Sequence, residues 1–384
     1  MTWPAVDINQ INQYQGAITE IERTMLLVGA AGATAGDKNP LTVVNAQTDL
    51  DSELGHVSPA LLEQVRAAQV NGGQGWGAYV LAIDPTTAKP AEWPTAIGLA
   101  LSDVSVEGVL VCSDVDDATT GRKLINDLQA LRASLISSLG RRVWFIVTVA
   151  GAAAKEQTWA DYRDWLNTLQ KDIAANAVML VPTLWGNEAG ALAGRLCNAA
   201  VTVADSPMRV ATGELLGLGI DSSDKPVDAD GVEISLAYLQ AFHDLRYSVP
   251  AWHPDYEGVY WSDGLLLEVK GGDYSVIEHL RILDKAARRV RLRAIPKIAD
   301  RGLNNTEASI ERHKTYFAAP LREMSRSVQI GITTFPGDIE PPQEGDITIT
   351  WLTREHVVIG VSAKPYTCPK KITINIALDL SLED

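Results

Sequence analysis

Residues 372–382 read I-T-I-N-I-A-L-D-L-S-L, and this stretch decides what kind of chain this is. Ile372, Ile374, Ile376, Leu378, Leu380 and Leu382 fall on one face, and Thr373, Asn375, Asp379 and Ser381 on the other, with Ala377 between in character. A side-chain period of two held over this length marks a half-buried strand. Chain ends fray unless something ties them down, so the strand is expected to pair with a sheet edge, its own or a neighbour's. That choice separates a self-contained domain from a polymer subunit.

Upstream of this strand, residues 249–273 carry prolines, glycines and aromatics, as in V-P-A-W-H-P-D-Y-E-G-V-Y-W-S-D-G. The pattern then predicts a long helix from Ser275 to Ile298, bent at Pro296, and another from Thr306 to Met324. Beyond Pro336, Pro341 and Pro342 come expected strands at 346–352, 356–363 and 371–382. Helices followed by an antiparallel meander describe an α+β unit.

The preceding part has a different rhythm. Apolar runs at 24–28 (T-M-L-L-V), 78–83, 107–112, 143–149 (V-W-F-I-V-T-V) and 177–181 suit buried strands. Helical patterns fill 59–70, 92–101, 117–139, 158–175 and 188–203, with Thr158 as an expected cap, and a further helical stretch covers 231–245. Alternation of this kind predicts a layered α/β fold on a mostly parallel sheet. Residues 1–20 show no helical period and are punctuated by Pro4 and Gly16, so they read as an extended arm. Such an arm reaches roughly 60 Å at most.

Composition narrows the function. The 384 residues allow two domains with cores, and 46% hydrophobic with 21% charged residues is the balance of a soluble globular protein. A net charge of −15 argues against general affinity for nucleic acid or anionic lipid. The three cysteines are far apart, which suits a reducing compartment and lacks metal-ligand spacing. The amino-terminal stretch lacks a secretory pattern, and no window offers the roughly 18 apolar residues of a membrane helix.

Little catalytic chemistry emerges. The loop L-L-V-G-A-A-G-A-T-A-G places Gly29, Gly32 and Gly36 after an expected strand, where backbone amides could cradle a phosphate. Its spacing is not G-x-G-x-x-G and no Gly-Lys-Ser/Thr follows, so a plain loop leaving a strand is the simpler reading. The run N-G-G-Q-G-W-G (71–77) reads as a turn before a strand. The six histidines form neither H-x-x-x-H nor H-E-x-x-H, and no nucleophile elbow is present.

One segment departs from the acidic background. From Arg281 to Arg301 the basic residues are Arg281, Lys285, Arg288, Arg289, Arg291, Arg293, Lys297 and Arg301, against Asp284 and Asp300. On a helix, Arg281, Lys285, Arg288 and Arg289 share a face, while Ile277, Leu280, Leu283, Ala287 and Val290 form the expected core stripe. The basic face is open to three readings: a solvated surface, a contact with acidic copies or partners, or a nucleic-acid contact.

The strings Y-W-S-D-G (260–264), I-E-H-L-R-I-L-D-K-A-A-R (277–288), P-L-R-E-M (320–324) and K-I-T-I-N-I-A-L-D-L (371–380) resemble the contractile tail sheath proteins of Mu-like bacteriophages. The layout is also similar to sheaths of other contractile tails, R-type pyocins and type VI secretion systems. The motif match runs from about 247 to 384, and over 24–245 the likeness is architectural. The tryptophan-rich, alanine-proline signature of many larger sheaths is absent, which ties the resemblance to the Mu-like branch.

The resemblance implies an α/β outer domain and an α+β inner C-terminal domain, with an extended N-terminal arm and a C-terminal strand exchanged between subunits. The implied boundaries are an arm at 1–23, an outer variable domain at 24–247 and an inner domain at 248–384, with 371–384 as the exchanged strand. Exchange would involve Val6 and Ile8 on the arm and Ile372, Ile374, Ile376, Leu378 and Leu380 on the strand, received by a sheet holding Ile347, Ile349 and Trp351. Arg281, Lys285, Arg288, Arg289 and Arg293 would form an electrostatic contact surface.

The implied function is a structural subunit that polymerises around a tail tube and contracts to drive it through a cell envelope. It needs no cofactor, metal or catalytic residue. The implied partners are other copies in a helical array of stacked hexameric rings, a tail tube protein, and baseplate and tail terminator proteins, without direct nucleic-acid contact or membrane insertion. Its place is the virion tail, assembled in the host bacterial cytoplasm. Two other classes compete: a cytoplasmic α/β enzyme with a nucleotide site near Gly29–Gly36, and a nucleic-acid binder using the basic helix.

Overall fold

A computed structural model of the chain describes residues 21–32, 41–152, 155–220 and 224–378. The run M-L-L-V-G-A forms β1 (Met25–Ala30), an interior strand of a six-stranded sheet. The others are β2 (Leu41–Asn45), β3 (Gly77–Ile83), β4 (Gly108–Val115), β5 (Trp144–Ala150) and β6 (Val178–Thr183), in the order β2-β3-β1-β4-β5-β6. Every pairing is parallel except β2 with β3. Each residue of β5 is buried, the signature of a sheet covered on both faces, where continuous apolar runs replace alternation. The mostly parallel α/β sheet expected from the sequence is therefore present. Sequence reasoning misses β2, a short edge strand with Val43 68% exposed, because neither burial nor a regular period marks it.

Helices connect the strands: α1 (Leu50–Glu53), α2 (Pro59–Gly72), α3 (Trp93–Asp103), α4 (Ala118–Leu139), α5 (Trp159–Gln170) and α6 (Glu188–Cys197). The starts of α2, α4 and α5 are capped by Ser58, Asp117 and Thr158, whose side chains accept from Leu61, Thr120 and Asp161 backbone amides. Buried along its whole length, α6 lies against α2. Gly190 and Gly194 permit this approach, because a Cβ at either would stand 2.0 Å from the Gln64 carbonyl oxygen or 2.3 Å from that of Ala68. Gln64 completes the joint, donating to the Gly186 carbonyl (2.7 Å) and accepting from the Gly190 amide (2.6 Å).

The rest of the chain comprises α7 (Leu236–Asp244), the hairpin β7 (Pro250–His253) and β8 (Tyr256–Trp261), α8 (Ile277–Ala294), α9 (Glu307–Phe317) and α10 (Ala319–Met324). Two further hairpins follow: β9 (Val328–Ile330) with β10 (Thr333–Phe335), and β11 (Ile347–Trp351) with β12 (Val357–Val361). A 3-10 turn at Ile295–Lys297 puts Pro296 where the bend is expected. The helix predicted over 306–324 divides at Ala318 into α9 and α10.

Two apolar cores result. The larger surrounds the six-stranded sheet and continues through Trp261, Leu266 and Leu267 to Ile277 and Leu280. The smaller joins Ile282, Ala286 and Val290 to Phe317, Leu321, Met324, Ile339, Ile347 and Ile349. Helix α8 is thus the shared wall of both. This corrects the single stripe expected on it: Ile282 and Ala286 are buried, whereas Leu283 and Ala287 are half-buried, because one helix here has two apolar neighbours.

The expected meander also needs correction. The antiparallel strands form separate two-stranded hairpins, and residues 371–378 join none of them. The arm at 1–20, with Val6 and Ile8, lies outside the described residues, as do 379–384, with Leu380 and Leu382.

Candidate assembly interface

The β11–β12 hairpin pairs Ile347 with Val361, Ile349 with Ile359 and Trp351 with Val357. Alternation turns Ile347 and Ile349 into the smaller core at 5% and 8% exposure, while Thr348 and Thr350 face outward. Trp351 is half-buried, and its indole N–H is buried with no acceptor. A two-stranded hairpin is marginal by itself, and each outer edge carries unpaired backbone donors and acceptors. Among the described residues no third strand joins it. A groove of about 1020 Å³ lies alongside, lined by Ile298, Leu303, Phe317, Trp351, Val357 and Ile359 among others.

The chain then runs out from the subunit. Ile372, Ile374, Ile376 and Leu378 are 74%, 78%, 91% and 80% exposed. Four large aliphatic side chains alternating along one segment and left in water are unusual, since such alternation normally accompanies burial. The root of the segment is held firmly. Lys370 Nζ donates to both carboxylate oxygens of Asp263 at 2.8 Å and lies 2.7 Å from Glu278 Oε1.

The basic helix differs from expectation. Arg281 is 2% exposed and points into the larger core, where its Nε and Nη2 donate to the Glu107 carboxylate at 2.5 and 2.9 Å. Nη2 also donates to the Leu196 carbonyl at 3.0 Å. Burial works against the charge, yet the Glu107 carboxylate keeps the Arg281 guanidinium above its ordinary range. Lys285 donates to Asp338 at 2.6 Å. The Arg293 guanidinium donates to the Tyr316 carbonyl at 2.8 Å and stacks 4.8 Å from that ring.

A solvated face holding Arg281 is therefore corrected: with apolar neighbours on both sides of α8, the guanidinium finds its counter-charge inside the chain. Arg288 lines a cleft of about 340 Å³ with Arg141, Arg142 and Arg291, and Arg289 lines a neighbouring one. Sequence reasoning overlooks Arg132, which lies outside the basic run and donates to Asp284 (2.7 Å) and the Val143 carbonyl (2.8 Å), both contacts buried. Only knowledge that α4 lays Arg132 against Asp284 of α8 could have found it.

The glycine loop after β1 has no free amides to offer a phosphate at its described end. The Ala31 amide donates to the Ile83 carbonyl (2.7 Å) and the Gly32 amide to the His56 carbonyl (2.8 Å). A Cβ on Gly32 would meet the Val57 carbonyl oxygen at 2.7 Å, so this glycine serves close packing. Gly36 lies outside the described residues. The glycines at 71–77 close α2 and open β3, with Gly73 at a φ of 74° between them. Among the described residues, no helix is long and apolar enough to cross a membrane and no group of three His, Cys, Asp or Glu could hold a metal.

Comparison with known proteins bears on the whole chain. The family model described as DUF2586, N-terminal domain, matches residues 3–265, and DUF2586, C-terminal domain, matches residues 273–381. A chain of Haemophilus phage HP1 (strain HP1c1) that carries the name of a tail sheath protein is 46% identical over 381 residues, covering 98% of each chain. A chain in the cryo-EM structure of the anti-feeding prophage (AFP) baseplate, 6-fold symmetrised, shares the fold. It aligns with a TM-score of 0.57 at 15% identity, over 99% of this chain and 100% of that one.

Proposed function

The chain belongs to the DUF2586 family and is a structural subunit of a contractile phage tail sheath, a virion tail component and not an enzyme; from this we propose that it polymerises by lending its ends to neighbouring copies. The observation that carries the reading is the exposed apolar face of Ile372, Ile374, Ile376 and Leu378 in a chain that also holds a hairpin with open edges. A strand of that pattern, laid along β11 or β12 of a neighbour, would complete the backbone hydrogen bonds of the hairpin and cover its apolar side chains. Burying one such side chain contributes about 1.5–3 kcal/mol, so four supply a strong joint.

On this reading Leu380 continues the strand, Val6 and Ile8 belong to a second exchanged segment, and Ile347, Ile349 and Trp351 lie in the receiving sheet. The arm comprises 1–23, the outer domain 24–247 and the inner domain 248–384. The inner domain holds the smaller core and lends Trp261, Leu267, Ile277 and Leu280 to the larger one. Arg288 and Arg289, both half-buried on α8, are the basic residues we assign to contacts between copies, with Arg281, Lys285 and Arg293 bracing them from within.

Head-to-tail joints close into rings or run on as a helix according to the rotation they impose; here we assign a helical array of stacked hexameric rings around a tail tube, with baseplate and terminator proteins at its ends. Contraction is then a rearrangement of rigid subunits that stay tied at their termini. The free-energy difference between two packings drives the tube, and no nucleotide is consumed.

Negative-stain microscopy of the purified full-length chain tests this: rods or tubes are expected. A chain ended after Lys370 should stay folded and monomeric. Undiminished rods from that shortened chain would remove the role given to the strand.

A further inference from the structure

Lys370 occupies a site that the sheath function alone does not require. Its ammonium lies between two carboxylates drawn from distant segments: Asp263, which follows β8, and Glu278, in the first turn of α8. Both acids are buried, at 4% and 3% exposure. Asp263 has other partners, accepting from the Gly264 amide at 2.8 Å and the Ser206 hydroxyl at 3.4 Å. Glu278 does not: neither of its buried carboxylate oxygens has a hydrogen-bond partner of regular geometry, so the Lys370 ammonium 2.7 Å away is its counter-charge. A buried carboxylate without a cation is strongly disfavoured, so this site demands an ammonium.

The next residue is also a lysine, and it is exposed. Lys370 sits at a bend that turns its ammonium into the site while Lys371 stays in solvent, so the two side chains leave the backbone in different directions and do not serve the site interchangeably. With Lys371 in the socket, every later residue would be one step out of register. Ile372, Ile374, Ile376 and Leu378 would then face the opposite way.

We propose that Asp263 and Glu278 form a lysine socket whose occupation by Lys370 sets the exit point and the facing of the exchanged strand. Lys370 is a positioning residue for subunit joining, and Asp263 and Glu278 are its receptor. The inference rests on the strand-exchange reading and goes beyond it, because exchange by itself requires only an apolar strand and an open edge.

The test compares full-length variants for the critical concentration of rod assembly, by sedimentation and microscopy, and for thermal stability. Lys370→Met should raise the critical concentration at least tenfold, while Lys371→Met should leave it within about twofold of the parent. The triple variant Lys370→Met, Asp263→Asn, Glu278→Gln removes the uncompensated buried charges. It should regain thermal stability without regaining assembly. Assembly of Lys370→Met at the parental concentration would overturn the proposal. So would full recovery of assembly in the triple variant, which would reduce Lys370 to a stabilising contact. The pair Ile374→Asp, Ile376→Asp separates the two levels. Loss of rods there with normal rods in Lys370→Met rejects the socket alone, whereas normal rods in the paired variant reject strand exchange and the socket with it.

Discussion

Arg281 and Glu107, 174 residues apart in sequence, meet in a two-point ion pair sealed from solvent, which ties α8 to the entrance of β4. Glu107 also accepts from the Arg23 amide at 2.7 Å, so the same carboxylate secures the approach to β1.

Removing one member of this pair leaves a buried charge alone. Arg281→Met is expected to lower unfolding stability by about 3–5 kcal/mol, and Glu107→Gln by a similar amount. The double variant should recover most of the loss, since neither position then holds a lone buried charge. Denaturant titrations of the three variants check this, and additive losses would contradict it.

Glu188 predicts a pH dependence. Burial raises its carboxyl from 4.5 to about 7, against the pull of backbone amides including those of Trp185 and Leu184. A group whose folded pKa lies above its unfolded value favours folding in its protonated form. Its contribution is therefore complete below pH 4.5, declines between 4.5 and 7, and is lost above that. The full swing is about 3 kcal/mol. Glu188→Gln keeps an acceptor for the amides. Subtracting its pH–stability curve from the parent's should leave a fall confined to that window, and a flat difference would refute the assignment.

At the α2–α6 contact, two effects of Gly190→Ala oppose each other. Alanine improves helix propensity by about 0.8–1 kcal/mol. Its methyl would press on the Gln64 backbone carbonyl, which cannot turn aside, and overpacking costs about 1–3 kcal/mol or more. The clash is expected to win, giving a lower melting temperature. A rise on calorimetry would show that the helices can part cheaply.

Nucleotides should have no effect on stability. A ligand at about 100 times its dissociation constant adds about 2.7 kcal/mol to a protein that binds it. The Ala31 and Gly32 amides already donate within the chain, so thermal-shift screening against ATP, GTP and NAD is expected to give flat traces. A reproducible upward shift would reopen the loop after β1 as a site.

What was legible in the sequence follows from how locally each feature is encoded. The runs in β1 and β5 are readable because a strand covered on both faces must be apolar throughout. β2 is not, since an edge strand answers to one neighbour only. Helix α8 is legible as a helix, but its burial is not, because a single-stripe pattern assumes a single core and this helix serves two. The charge of Arg281 suggests a surface, and only the fold brings Glu107 to it. Lys370 carries no signal of its socket, as Asp263 lies 107 residues away and no spacing links them. The apolar alternation from Ile372 onward is plain in the letters, yet the face from Ile372 to Leu378 is left exposed by the chain.

The shared wall has a mechanical corollary. A helix that closes one core with Ile277 and Leu280 and another with Ile282, Ala286 and Val290 cannot roll on either without opening the other. On the strand-exchange proposal, such a body acts as a stiff brick tied to its neighbours by its ends. Force arriving at one corner would then pass to the next brick undamped, and on that proposal a wave of shortening would travel the length of a tail without any single block changing shape.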